Sequence, residues 1–142
     1  MTTSTLPPKA NKAGAVRARY VSEMVETVSP AKLVTMLYDA LVRDLITAET
    51  ALAPAARDYH AVNVKLVHAQ AIVLELRSGL DPTKWSGGPD LLRLYNFLID
   101  ELVKANVEKD PGRVVACRKL VEPLQQAWHE AAALVTGGGA GR

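Results

Sequence analysis

Residues 111–135 read PGRVVACRKLVEPLQQAWHEAAALV, and Val114, Cys117, Val121, Leu124, Trp128, Ala131 and Val135 fall at alternating intervals of three and four. That seven-residue rhythm keeps one stripe of a helix turned toward a neighbour, so the stretch predicts the seam of a helical bundle. Asp110 and Pro111 suit its start. Pro123 lies inside it, without a backbone donor and crowding the carbonyl of Lys119, and predicts a bend.

The segments before it repeat the pattern. Leu91, Leu94, Leu98, Leu102 and Ala105 stripe a helix opened by Pro89 and Asp90 and closed near Asn106. Val62, Leu66, Ala69, Val73 and Leu76 stripe another, from about Asp58 to Ser78, which Gly79 is expected to stop in the left-handed conformation and Asp81-Pro82 to keep from resuming. Ser29 can cap the next helix upstream, with Pro30 in its first position and Val28 stapled onto Leu33; it should reach about Ala53, before Pro54. A short leading helix, about Ala15 to Thr27, carries Val16, Tyr20 and Met24 on one stripe, continued by Val28. No segment alternates as a strand would. The expected fold is all-α, an antiparallel four-helix bundle with a short N-terminal helical cap, over residues 15–135. Residues 1–14 and 136–142 hold too few large apolar side chains to offset the entropy of ordering, and read as a flexible arm and a flexible Gly-rich tail.

Composition agrees. The 142 residues are 49% hydrophobic but only 5% aromatic, with a single Phe, so Leu, Val and Ala must fill the interior. Seventeen basic against fifteen acidic residues leave a formal charge of +2, far from the basic stripe that tracks phosphates, which argues against nucleic acid. No apolar run of about 20 residues exists to span a bilayer, and the N-terminal region lacks the hydrophobic core of a secretory signal. A single cysteine, Cys117, reads as a buried thiol in a reducing compartment. These features predict a cytoplasmic protein without membrane insertion.

The sequence holds no recognisable catalytic constellation. The Glu-x-x-His pairs that hold two irons in a bundle are absent, His129-Glu130 lacks the second His of a zinc helix, and His60 and His68 stand without a suitable carboxylate in sequence, so all three histidines read as lone surface residues. As a phosphotransfer histidine, His68 would want a Lys-Gly pair after it; Ala69-Gln70 follows instead. Gly137–Gly139 lacks the Lys-Ser and helix of a phosphate loop. No catalytic, cofactor or metal site is expected, and the chain is not expected to be an enzyme.

The apolar surplus is more informative. Beside the stripe Leu33, Leu37, Leu41, Leu45, Ala48 and Leu52 runs a second one, Val34, Tyr38, Val42 and Ile46; Val67, Ala71 and Leu74 flank the next seam, and Leu92, Tyr95, Ile99 and Val103 the one after. A compact bundle that buries more than half of each helix absorbs part of this surplus. A groove for a foreign amphipathic helix absorbs the rest.

The run Tyr20 … Val28-Ser29-Pro30-Ala31-Lys32-Leu33-Val34-Thr35-Met36-Leu37-Tyr38-Asp39 resembles the N-terminal signature of the flagellar secretion chaperone FliS family. Ala48, Glu75-Leu76, Leu80-Asp81, Gly87-Gly88, Leu94-Tyr95, Ala105-Asn106 and Ala127-Trp128 extend the resemblance over about residues 15–135. It implies a cytosolic bundle that binds the disordered C-terminal segment of flagellin, wrapped around it as helices and extended stretches so that the client cannot polymerise before export. It also implies the flagellar export gate as a further possible partner, and a monomer or weak dimer. On this reading the partner-binding residues are Tyr20 and Met24 in the cap and Tyr38, Val42, Ile46, Val67, Leu74 and Ile99 in the grooves. The alternative is a homo-oligomeric helical adaptor whose extra stripes meet copies of itself.

Overall fold

The computed structural model describes residues 30–140 of the chain, with side chains through residue 134. It contains four helices, α1 (Pro30–Leu52), α2 (Tyr59–Ser78), α3 (Gly88–Glu108) and α4 (Pro111–Ala140), and no strand among the described residues. The expected short leading helix, with Tyr20 and Met24, lies outside them. Consecutive helices are neighbours, and α4 closes the ring against α1, giving the four-helix bundle that the stripes predict. Of the four neighbouring pairs, α3 and α4 pack most sparsely.

Local chemistry sets the helix ends. Asp58 caps α2, its Oδ1 accepting from the Ala61 N–H at 3.1 Å. Gly79 ends α2, but its φ of −84° is right-handed, so the expected left-handed stop does not occur there. The left-handed positions are Arg57 (φ 42°) and Lys109 (φ 51°). Lys109, not Asn106, ends α3, and its N–H returns to the Ala105 carbonyl. With Asp110 it forms a two-residue connection to α4, where Asp110 Oδ1 accepts from the Gly112 N–H at 2.9 Å. α4 runs unbroken through Pro123 and past Val135 to Ala140.

The core is aliphatic with a tyrosine pair at one end. Val62, Leu66, Ala69, Val73 and Leu76 are all buried, as their spacing requires. On α1 the buried line is Tyr38, Leu41, Leu45, Ala48 and Leu52 with Val42 beside it, whereas Leu33 and Leu37 are only half-buried. On α3 Tyr95 takes the interior position and Leu94 sits at the edge. The reason is hydrogen bonding: Tyr38 Oη and Tyr95 Oη meet at 2.6 Å, so two phenols satisfy each other inside. Burial, the larger influence, pushes both phenols above their ordinary value. Cys117 is buried as expected, and burial followed by the nearby Glu101 charge pushes its thiol up to about 12.

Candidate partner-binding cleft

The seam of α4 does not stay in the core. Val114, Cys117 and Val121 are sealed in, but Leu124, Trp128 and Ala131 on the same stripe are only half-buried. They emerge as one wall of a cleft of about 640 Å³ between the C-terminal half of α4 and the start of α3. Ala127 completes that wall; Leu91 and Leu94 of α3, with Asp90 at the rim, form the other, and Trp85 and Gly87 of the preceding loop close the end. Every lining side chain but Asp90 is apolar or small, and Asp90 is paired with Arg93.

Apolar surface continues beyond the cleft along the same two helices. Phe97, three residues past Leu94, is 50% exposed, and Leu120, four before Leu124, is 41% exposed. The far end of the helix pair is held shut by Arg113, which donates to Glu101 at 2.8 Å and Glu108 at 3.1 Å. From Leu120 to Ala131 the wall is about 16 Å long, three turns of helix. Such a trough suits an amphipathic helix laid into it.

The floor is rigid. The Trp128 indole stacks on the Tyr38 ring at 6.5 Å between centroids and 25° between planes, so α1, α3 and α4 are joined beneath the cleft through Trp128, Tyr38 and Tyr95. The reverse side of α4 is tied to α1 by polar contacts. Arg118 binds Glu49 and Glu122, and Asp39 accepts from Gln125 at 2.9 Å and meets His129 Nε2 at 2.7 Å.

The residues singled out from sequence separate into three groups. Tyr38 and Val42 are core side chains: Tyr38 is engaged with Tyr95 and Trp128, and Val42 is buried beside it on α1. Ile46 is 47% exposed on α1, between Asp39 and Glu49, the two residues tied to α4, and lines no part of the cleft. Val67, Leu74 and Ile99 fall together on the outer α2–α3 face. There Asn106 donates to Asn63 at 2.8 Å at one end and Arg77 to Asn96 at 2.8 Å at the other, with exposed Val103 between. This face is a second, shallower apolar strip.

The stripes place Leu94, Leu124 and Trp128 on core seams, and local spacing does not single out Trp85, Phe97 or Leu120. The available signal was the single Phe lying off every stripe and a Trp placed in a loop beside two glycines. The histidines are not all lone: His68 Nδ1 meets buried Asp44 at 2.5 Å, and His129 meets Asp39, because α1 brings carboxylates that no local spacing reveals. Among the described residues no group of three or more His, Cys, Asp or Glu is placed to hold a metal, and no helix is long and apolar enough to cross a membrane.

Residues 12–135 match the family described as flagellar protein FliS. The flagellar secretion chaperone FliS of Bacillus subtilis (strain 168) is 27% identical over 112 residues, which are 79% of this chain and 82% of that relative. With the family matched over most of the bundle, the chain belongs to the flagellar protein FliS family.

Proposed function

We propose that this protein is a cytoplasmic flagellar export chaperone that binds the disordered C-terminal segment of flagellin and keeps it from polymerising before secretion. The observation that carries the reading is the apolar cleft into which the α4 seam emerges. Leu124, Trp128, Phe97 and Leu120 share one open trough that no described helix covers, and an amphipathic client helix would fill it. The relative named a flagellar secretion chaperone supports a client that is a flagellar export substrate. Burial of its apolar face must offset the cost of ordering the client's disordered segment.

Calorimetric titration of the protein with a synthetic peptide of the flagellin C-terminal segment tests this directly. Saturable binding that Leu124→Asp weakens at least about tenfold, with helical content unchanged, is the expected result. Absence of binding, together with a stable oligomer in light scattering that the peptide leaves intact, would establish the homo-oligomeric adaptor instead. That second reading draws on the α2–α3 strip of Val67, Leu74, Ile99 and Val103.

A further inference from the structure

Trp85 differs from every other side chain lining the cleft. It sits in the loop between α2 and α3, is 50% exposed, and still lines the cleft together with Leu91, Leu94, Leu124 and Trp128. An indole so placed keeps its position only through what it rests on. Its six-membered ring lies over Gly87, where a Cβ would stand 2.8 Å from Cε3 and Cη2 and nearer still to Cζ3. Gly87 has φ −82° and ψ −6°, a right-handed conformation open to any residue, so it is the indole and not the backbone that requires glycine.

The loop beneath is held at several points. Asp81 Oδ1 accepts from the Thr83 N–H at 3.0 Å and from its hydroxyl at 2.6 Å, and the Trp85 carbonyl accepts from the Gly88 N–H at 3.1 Å. Gly88 itself is buried against the Pro82 backbone, where a Cβ would meet the Pro82 Cα at 2.7 Å. A loop fixed in this way presents its indole as a wall.

We infer that Trp85, seated on the bare backbone of Gly87, is a specificity-determining residue of the α3–α4 cleft: with Trp128 on the α4 side it receives a large aliphatic side chain of the client helix, and Gly87 is its positioning residue. This rests on the client-binding reading of the cleft. Indole faces give broad, stiff apolar contact at little conformational cost, which is why such residues dominate binding energy where they line a pocket.

The test is a double-mutant cycle by calorimetry, using the full chain and the flagellin C-terminal peptide, with helical content and tryptophan emission recorded for each variant. Trp85→Ala and Gly87→Ala should each weaken binding roughly tenfold. The double variant should bind as Trp85→Ala does, because with the ring gone the new methyl has nothing to displace. Trp85→Phe should recover part of the loss, and it decides the matter if Trp85→Ala loses helical signal. Gly87→Ala at wild-type affinity, or losses that multiply in the double variant, would overturn the inference. If peptide binds, Leu124→Asp weakens it and the Trp85 variants do not, the inference alone fails; if wild-type protein takes up no peptide, the client reading has failed first.

Discussion

Individual side chains here are stabilised by partners from other helices, and this makes their titration informative. Asp39 is partly buried, which alone would raise its carboxyl; hydrogen bonds from His129 and Gln125 and the charges of His129 and Arg43 outweigh burial and hold it below its ordinary 3.8. A carboxyl depressed in the folded state binds its proton less readily there than in the unfolded chain. Its contribution to stability is therefore complete above the ordinary value and is lost as pH falls through the folded one. Asp39→Asn should flatten the loss of stability as pH falls below the ordinary 3.8, measured by denaturant titration; an unchanged acid limb would show that the α1–α4 pairing contributes nothing. Cys117 makes a complementary prediction. With its thiol up at about 12 and buried, it should resist a thiol-reactive dye at neutral pH until denaturant unfolds the bundle. Rapid labelling of the folded protein would contradict the burial.

At the level of the helix, α4 shows both what pattern reading can do and where it stops. The three-four spacing from Val114 to Val135 identifies a stripe, and α4 carries it over its full length. Spacing says nothing about whether a neighbour covers each turn. Val121 is sealed and Leu124, the next position on the stripe, is not, and α3 and α4 are the most sparsely packed pair of neighbours. The same limit explains the exchange of Leu94 for Tyr95: both positions fit a helical face, and the choice is made by Tyr38, 57 residues away in sequence. The helices and most of the core were thus readable from local spacing, while the cleft, which exists only between helices, was not. Pro123 offers a direct experiment on this element. It is exposed, α4 passes through it, and the carbonyl of Lys119 loses its intrahelical partner there. Pro123→Ala should restore that bond and raise stability by up to about 3 kcal/mol, read from the denaturation midpoint. No gain would mean that relaxation of the helix had already absorbed the proline.

Among the described residues, exposed apolar side chains gather on two faces, the α3–α4 trough and the α2–α3 strip, with α3 shared between them, while others such as Ile46 and Val107 stand apart. A long client that wraps the bundle would use both, its segments joined by a linker that keeps the second contact at high effective concentration once the first has formed. Independent contacts of this kind act multiplicatively on affinity. Leu124→Asp in the trough and Val67→Asp on the strip should each weaken binding of the full flagellin C-terminal segment, and the double variant should show the product of the two losses. The complex should remain one client to one chain by analytical ultracentrifugation. A client confined to the trough gives a different result: Val67→Asp leaves affinity untouched, and a peptide cut down to one helix binds as tightly as the full segment. In that case the exposed Val67, Leu74 and Val103 face another copy of the chain, and the same Val67→Asp substitution shifts the sedimentation of the protein alone.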